Sequence, residues 1–477
     1  MKGKYKKLSF NVFLFSISSF GQKILAFLLV PLYTNYLSLS QYGTIDLLTT
    51  TISLIIPILT LNIAEAVMRF TIDDKKNDAY VTYGMIIIVK GTFVLTIILC
   101  ILGFMPFFKK YSTYFFIIGL VFVLHALYAL MQNYLRATDN IGLMVISSLL
   151  NSAVMLVLDI ILIAKMGLGI KGYYIAMIVS SFVSIILMEI GCSFHKHLRL
   201  NIYRSNISIR QECLKYSIPT IFTALAWWIN SSLDRYFVTG MCGVDANGIY
   251  SISYKIPTIL GIFQTIFTQA WTLSAIVEFD KDDSDGFFGK TYEMFNFMMI
   301  LGTAMIMLLN NFLASILYAK EFYIAWKYVP LLLISSLFSA LSGYIGGIFS
   351  AAKDTKTCAY STVASAGVNI VLNTILIPYI GIYGAAIATM ISYICAWGIR
   401  IIVSRKYIRM KISIKKDIFV YGLLIIQTVL AMSSSRYYLL QILIVFCIIG
   451  LYTNVWLEIV SKISKLTQIN IFKFSDK

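Results

Sequence analysis

The sequence predicts an all-α polytopic membrane protein with about fourteen transmembrane helices, arranged as two parallel six-helix lobes followed by two C-terminal helices. Three observations predict this fold: the composition, recurring apolar runs and an internal repeat. Of the 477 residues, 59% are hydrophobic and only 13% are charged. Soluble domains are about 25% charged, and a helix needs about 20 apolar residues to cross a bilayer.

Apolar runs of this length follow one another from end to end, and none of the segments between them is long enough for a separate soluble domain. The first run, after MKGKYKK, is too long and too polar in its middle for a signal peptide, so we expect a retained first helix. The predicted spans are 9–33, 42–66, 80–104, 112–135, 140–164, 170–192, 214–239, 248–277, 290–313, 327–350, 357–378, 381–403, 417–434 and 437–460.

The distribution of basic residues predicts the orientation in the membrane. The net charge is +17, but Lys and Arg lie in short loops between apolar runs, which argues against nucleic acid as a partner. Loops on the N-terminal side hold 28 of them and the opposite loops hold 7. Because cytoplasmic loops are enriched in Lys and Arg, we expect a multi-pass protein of the bacterial cytoplasmic membrane with both termini in the cytoplasm.

An internal repeat divides the chain. LGIKGYYIAMIVS at 168–180 aligns with IGIYGAAIATMIS at 380–392, and LVLDIILI at 156–163 aligns with IVLNTILI at 370–377. Near the start of each half, Gly43 matches Gly248. Six spans separate the copies, so both have the same orientation, and a site is expected between the lobes. The predicted domains are an N-lobe (1–213), a C-lobe (214–412) and two further helices with a cytoplasmic tail (413–477).

Enzyme motifs are absent from the sequence. It contains neither a P-loop nor HExxH, and its seven cysteines form no CxxC, so we expect no enzyme activity, metal or cofactor. The acidic loop EFDKDDSDGFFGK at 278–290 resembles a metal-binding DxD motif, but we expect a solvated cytoplasmic loop because no nucleotide-binding domain surrounds it.

Polar residues at helical spacing predict a water-filled cavity. Because a lysine in a lipid-spanning helix costs about 2.5–3.5 kcal/mol, Lys23 and Lys255 are expected to face such a cavity and to attract a multiply charged anion. The alternative is that the Ser and Thr residues join helices by hydrogen bonds. The stripes are Ser16, Ser19 and Lys23; Asp46, Thr50, Ser53, Pro57 and Thr60; Thr220, Thr223, Trp227, Asn230 or Ser231, and Asp234; and Ser251, Lys255, Thr258, Thr265, Gln269 and Thr272.

Further charged residues extend this predicted site. Lys90, Arg69 and Arg136 are candidate contributors to anion binding, although Arg69 and Arg136 equally fit a role as interfacial cations that fix topology. Asp46, Glu65 and Asp234 are candidate counter-charges, or binding residues for a coupling proton or Na⁺.

Two segments carry a resemblance to a known family. LNIAEAVMRF at 61–70 and LDRYFVTGMCGVDANGIYSISYKIP at 233–257, together with GIYGAAIATMIS at 381–392, resemble Wzx-type flippases, the polysaccharide-exporter branch of the MATE-like (MOP) superfamily. The resemblance implies a flippase that moves undecaprenyl-pyrophosphate-linked oligosaccharide across the membrane by alternating access. It also implies membrane lipids and other polysaccharide-assembly proteins as partners.

The resemblance leaves alternatives. A multidrug or cation antiporter of the same superfamily is expected to have an acidic cavity, which the deep lysines disfavour. Lipid II flippases are similar in plan, with cations on helices one and eight in places comparable to Lys23 and Lys255, but they carry more arginine there. A glycan polymerase commonly has a long extracytoplasmic loop, and the predicted outer loops are all short.

Overall fold

The computed structural model describes residues 2–74, 77–106, 112–199, 207–352, 354–433, 437–458 and 461, and the predicted tail 462–477 lies outside them. All regular elements in these ranges are helical, and eleven of the helices are long and apolar enough to cross a membrane. Two shorter apolar helices are also found there. The all-α polytopic membrane fold is confirmed, whereas the count of fourteen spans stays a prediction.

The chain forms two compact units, Met1–Ser251 and Ile252–Lys477. The predicted lobe boundaries stay predictions. The first unit contains a π-helical turn at Ile160–Lys165 and a 3₁₀ turn at Phe194–His197. Its α-helices are α1 (Lys2–Tyr36), α2 (Leu39–Leu59), α3 (Ile63–Asp73), α4 (Ala79–Phe104), α5 (Ser112–Ala137), α6 (Ile141–Asp159), α7 (Gly169–Cys192), α8 (Ile207–Ser232), α9 (Asp234–Cys242) and most of α10 (Val244–Ser253).

The second unit contains a 3₁₀ segment at Lys320–Lys327. Its α-helices are α11 (Thr258–Val277), α12 (Phe287–Leu308), α13 (Asn310–Leu317), α14 (Val329–Ala351), α15 (Thr355–Ile380), α16 (Ile382–Ser404), α17 (Ile414–Ser433) and α18 (Tyr438–Leu451).

The second predicted span, 42–66, is two helices rather than one. A capping box begins α2: Ser38 Oγ accepts a hydrogen bond from the Gln41 amide (3.2 Å), and the Gln41 side chain accepts one from the Ser38 amide (3.1 Å). The helix ends because Leu61 (φ 52°) and Asn62 (φ 48°) adopt left-handed conformations, and α3 starts at Ile63. Left-handed backbone is costly for a leucine, so a leucine is not expected to end a helix. Hydropathy carries no information on backbone conformation and therefore did not predict this break.

The core of the first unit lies where α3, α4, α5 and α7 meet. Ile63 and Val67 on α3 are fully buried against Leu130 and Met131 on α5 and Met188 on α7. A close approach of helices is possible here because Gly84 on α4 leaves room for the Val67 side chain, which would lie 2.8 Å from an added Cβ. This core fixes α3, the second half of the broken span, in place.

The repeat predicted from sequence has matching local structure in the two units. Gly169 (φ 53°) and Gly381 (φ 58°) both take left-handed conformations that favour glycine. The equivalent residues Asp159 and Asn373 are both fully buried. Asp159 accepts a 2.6 Å hydrogen bond from the Tyr33 hydroxyl. The two copies thus keep a tight turn and a buried polar residue at the same positions.

The second unit is built around α14, most of which is buried. Arg400 on α16 packs against it, only 8% exposed, and its guanidinium donates to the Ser342 carbonyl oxygen (2.9 Å), Ser361 Oγ (2.8 Å) and Thr362 Oγ1 (2.9 Å). Because four of its five N–H groups find acceptors when the 3.3 Å contact with the Cys358 carbonyl oxygen is included, this buried cation joins α14, α15 and α16.

The two helices outside the repeat, α17 and α18, are held to the rest of the second unit by buried hydrogen bonds. The Tyr452 hydroxyl donates to Asp417 (2.5 Å), Tyr421 donates to Asn296 Oδ1 (2.9 Å), and Gln427 donates to the Ala304 carbonyl oxygen (2.9 Å). A buried polar group left without a partner is expensive, so these contacts specify how α17 and α18 pack on α12.

Candidate functional site: a polar seam along the second span

Polar groups join α2 and α3 to α8, α9 and α10. The indole N–H of Trp228 donates to the Thr50 carbonyl oxygen (3.0 Å), the hydroxyl oxygens of Thr51 and Tyr236 lie 2.6 Å apart, and the Asn62 amide donates to Thr220 Oγ1 (2.9 Å). We call this set the polar seam. Its residues are Gly43, Asp46, Thr50, Thr51 and Asn62 on one side and Thr220, Trp228, Arg235, Tyr236, Asn247 and Ser251 on the other.

The charged centre of the seam is Asp46. Its Oδ2 lies 2.9 Å from Arg235 Nε, and the two side chains are 19% and 15% exposed. The same oxygen accepts a 2.6 Å hydrogen bond from Ser251 Oγ and lies 3.4 Å from Asn247 Nδ2. Removing one member of a buried ion pair costs about 3–5 kcal/mol, because the other charge is left without compensation. Each of the two charges therefore depends on the other for compensation.

Arg235 and its neighbour Asp234 have separate partners. Besides this ion pair, Arg235 donates a hydrogen bond from Nη1 to the Ser231 carbonyl oxygen (2.6 Å), whereas Asp234 is 1% exposed and accepts a 2.9 Å hydrogen bond from the Tyr250 hydroxyl. Successive residues on a helix do not face each other. Asp46 and Asp234, predicted as members of one set of counter-charges, thus lie in different hydrogen-bonding environments.

Lys255 lies in a turn rather than inside a helix. Sequence reasoning placed it well within an apolar helix, but residues 254–257 form a turn between α10 and α11. Pro257 has no amide hydrogen and disfavours helical backbone in the residue before it, which explains the interruption. Interrupted helices are typical of substrate sites in transporters, so this position strengthens the functional interest of Lys255. Its side chain is partly buried.

The other predicted cations differ in their surroundings. Lys23 lies on α1 and is partly buried, whereas Lys90 on α4 and Arg136 at the end of α5 are exposed. Arg69 on α3 forms an exposed ion pair with Asp73 (2.8 Å), one helical turn away. Exposed pairs of this kind contribute little to stability, at most about 1 kcal/mol. The exposed position of Arg69 and Arg136 fits either anion contact or interfacial anchoring.

The remaining predicted acid, Glu65, lies in the first turn of α3 and is partly buried. Carboxylates are favoured at the positive end of the helix dipole, so a structural role for Glu65 is already sufficient to explain its position. Trp227, placed on a polar stripe from its spacing, is 60% exposed, and the neighbouring Trp228 makes the seam contact.

Sequence reasoning did not assign a role in the site to Arg235, Tyr236 or Asn247. Arg235 was read as the end of a span, because a single sequence gives no information on which of many distant carboxylates it contacts. One signal pointed to this region. The repeat pairs Gly43 with Gly248, and these residues flank Asp46 and Asn247, which lie 3.4 Å apart through their side chains.

Comparison with known proteins identifies the family. A family model described as "Polysaccharide biosynthesis protein" matches residues 8–272, more than half of the chain. The chain belongs to this family. No individual curated protein matches it significantly.

Several solved structures have the same fold as this chain. Lipid II flippase MurJ in an inward closed conformation matches with a TM-score of 0.67 and 16% identity, covering 94% of this chain and 99% of that one. An inward-facing conformation of a multidrug resistance MATE family transporter of the MOP superfamily matches with a TM-score of 0.64 and 15% identity, covering 80% of this chain and 94% of that one. An outward-facing conformation of a multidrug resistance MATE family transporter of the MOP superfamily matches with a TM-score of 0.61 and 14% identity, covering 84% of this chain and 95% of that one.

Identities this low establish the fold alone, and the family match adds the connection to polysaccharide biosynthesis. Together they establish a member of the polysaccharide biosynthesis family that has several membrane-spanning helices and the fold of these solved transporters.

Proposed function

We propose that this family member is a flippase that moves undecaprenyl-pyrophosphate-linked oligosaccharide, a capsule, O-antigen or teichoic-type unit, across the bacterial cytoplasmic membrane by alternating access. Both termini face the cytoplasm in this proposal, because the basic residues are concentrated in the loops of that side. The glycan and its pyrophosphate cross the membrane, while the polyprenyl chain stays in the lipid.

The observation that carries the proposal is the charged centre of the polar seam. Asp46 lies near the start of the second span and Arg235 near the end of the seventh, and both ends are outward in the proposed orientation. A transporter needs a contact that closes one side while the other is open. The Asp46–Arg235 pair, supported by Ser251 and Asn247, has the strength and the position for an outer gate.

In this proposal Lys23 and Lys255 bind the pyrophosphate, and Lys90, Arg69 and Arg136 add positive charge along its route. An ammonium group is a compact point charge that attracts phosphate oxygens without the bidentate geometry of arginine. Such a contact is favourable yet easily exchanged, as a site that must also release its substrate requires. Asp46, Glu65 and Asp234 serve as counter-charges or bind the coupling ion, H⁺ or Na⁺.

Replacing Lys255 tests the proposal. We expect Lys255→Ala to abolish surface polysaccharide in cells that depend on this chain, whereas Lys255→Arg, which keeps the charge, retains part of it. The matched control is Lys171→Ala, which removes an exposed lysine at the start of α7. Membrane level and gel-filtration profile of each variant establish that it is folded. Normal polysaccharide in folded Lys255→Ala would refute the assignment.

The coupling ion is tested on purified protein in vesicles. Translocation of the lipid-linked glycan measured against pH and against Na⁺ concentration identifies the ion, because only the coupled gradient accelerates transport. A rate that responds to neither gradient contradicts ion coupling without contradicting the flippase assignment.

A further inference from the structure

A cavity of about 580 Å³ lies in the second unit beside the acidic loop. Its walls are the end of α11, the segment 278–286, the start of α12, and the residues that follow α18, including Glu458. Ligand pockets commonly have volumes of about 300–1,000 Å³, so this cavity has room for a short glycan.

One wall of the cavity is aromatic. Trp271 stacks with Phe267 (ring centroids 6.2 Å apart), Phe287 (6.0 Å) and Tyr344 (4.1 Å). Trp271 is 3% exposed and its indole N–H donates to the Tyr344 carbonyl oxygen, so the wall is fixed in place. Phe267 and Phe287 are only half-buried and present flat apolar surface to the cavity.

The rim of the cavity is rich in carboxylates. Glu278, Asp285 and Glu458 are exposed at the cavity mouth, and Glu293 is held by Lys416 Nζ at 2.5 Å. Ionised carboxylates only accept hydrogen bonds, and each offers two oxygens. A ligand that suits this lining has hydroxyl or amine donors around a ring with an apolar face, which is the chemistry of a sugar.

The acidic loop has a built conformation. Asp283 is 4% exposed, and its two carboxylate oxygens accept hydrogen bonds from the amides of Phe288 and Gly289, both 2.9 Å long. Asp280 accepts from the Ser284 amide at 2.9 Å. Asp283 thus holds the loop against the start of α12, Asp280 stabilises the turn within the loop, and Asp285 lines the cavity. The sequence predicted a solvated loop at 278–290 and gave no indication of these separate roles.

The charge of the lining excludes other ligands. Among the described residues that line the cavity, four are carboxylates and one, Lys290, is a cation, and even with Glu293 paired to Lys416 the acidic side chains are in excess, so a phosphate group or an acidic sugar is disfavoured. Among the residues that the structure describes, no group of three His, Cys, Asp or Glu residues is placed to hold a metal ion.

We infer that this cavity binds the glycan of the lipid-linked substrate, through sugar rings that are neutral or carry an amino group. The inference rests on the proposed flippase function. It adds a second contact, separate from the pyrophosphate site, that recognises the sugar. Sugar hydroxyls donate to Glu278, Asp285 and Glu458, and one ring packs on Phe287. In the proposed orientation the cavity is on the cytoplasmic side, where the substrate is loaded.

The test compares two ligands on the full-length protein in lipid nanodiscs. One is the polyprenyl-pyrophosphate-linked glycan extracted from cells depleted of the chain, and the other is undecaprenyl pyrophosphate without sugar. The cavity variant is Asp285→Asn with Glu458→Gln, which keeps side-chain shape. The matched control, Asp282→Asn with Glu321→Gln, removes two exposed carboxylates that do not line the cavity.

We expect the cavity variant to bind the lipid-linked glycan about tenfold more weakly than wild type and undecaprenyl pyrophosphate equally well, while the control variant matches wild type for both. Equal binding of the glycan-bearing lipid by the cavity variant overturns the inference and leaves the flippase assignment standing. If wild type binds neither lipid, the proposed function itself fails. A second variant, Phe287→Leu, removes the aromatic face alone and is expected to weaken only the glycan-bearing ligand.

Discussion

Gly43 and Gly248 lie where the starts of α2 and α10 cross with backbone nearly touching backbone. A Cβ on Gly43 would lie 2.2 Å from the Val244 carbonyl oxygen, and a Cβ on Gly248 would lie 2.3 Å from the Leu39 carbonyl oxygen. The Asn247 side chain donates to the Gly43 carbonyl oxygen across the same crossing (3.1 Å). Two glycines that the repeat makes equivalent therefore permit one close contact, next to the Asp46–Arg235 pair.

Alanine at either glycine is expected to keep this crossing from closing. Because the obstacle is backbone rather than a flexible side chain, the helices must move apart, which costs about 1–3 kcal/mol. We predict that Gly43→Ala and Gly248→Ala each lower surface polysaccharide to about a tenth of wild type or less. Gly142→Ala is the control, since nothing lies within 4 Å of its added Cβ. Wild-type polysaccharide in both variants would show that the crossing need not close.

The Asp46–Arg235 pair predicts a double-mutant cycle. Arg235→Ala leaves a largely buried carboxylate and Asp46→Ala leaves a largely buried guanidinium, so each is expected to destabilise the protein by about 3–5 kcal/mol. The double variant removes both charges and should cost clearly less than the sum of the two. Thermal unfolding in detergent measures the three values.

The charge-swapped variant Asp46→Arg with Arg235→Asp extends this test by reversing the pair. It is expected to recover part of the stability that each single reversal loses, though not all of it, because Ser251 and Asn247 are arranged to donate to a carboxylate at position 46. Additive single effects, with no coupling between positions 46 and 235, would exclude the pair as a gate.

A carboxylate outside the membrane spans predicts a pH dependence. Hydrogen bonds from the hydroxyls of Thr357 and Tyr407 lower the pKa of Asp354 to about 2. The folded-state pKa is thus below the unfolded value of about 3.9. The resulting stabilisation is fully present above pH 4 and is lost as the pH falls through 2.

Tyr407→Phe removes the 2.5 Å hydrogen bond to Asp354 and is expected to raise the pKa of this carboxyl towards its ordinary value. The variant should therefore unfold at a lower temperature than wild type at pH 6, and the difference should shrink as the pH is lowered towards 2. Parallel melting curves between pH 6 and pH 2 measure it. A difference that stays constant over this range would mean that Tyr407 acts by packing alone.

Composition, span length and the repeat were sufficient to predict the fold, because each can be recognised in the sequence without knowing which distant residues are in contact. Gly169 and Gly381, predicted as equivalent, both have a positive φ (53° and 58°). The break at Lys255 was also readable, since Pro257 stands beside it, but hydropathy averaged over the span hid the signal. Arg235 is different. Its contact with Asp46 joins residues far apart in sequence, and nothing in one sequence selects that partner.

The break between α2 and α3 also escaped prediction, and it leads to a last test. Leu61 (φ 52°) is held in a conformation that costs a branched residue about 1–2 kcal/mol and glycine almost nothing. We therefore expect Leu61→Gly to preserve or raise the melting temperature and Leu61→Val, β-branched at Cβ, to lower it. The reverse order would mean that side-chain packing rather than backbone strain governs this position.

Thr220→Val is the control, because it removes the Asn62 hydrogen bond across the seam (2.9 Å) without changing the backbone of the break. If the strain is used to keep the span in two halves for transport, Leu61→Gly will be at least as stable as wild type yet transport more slowly.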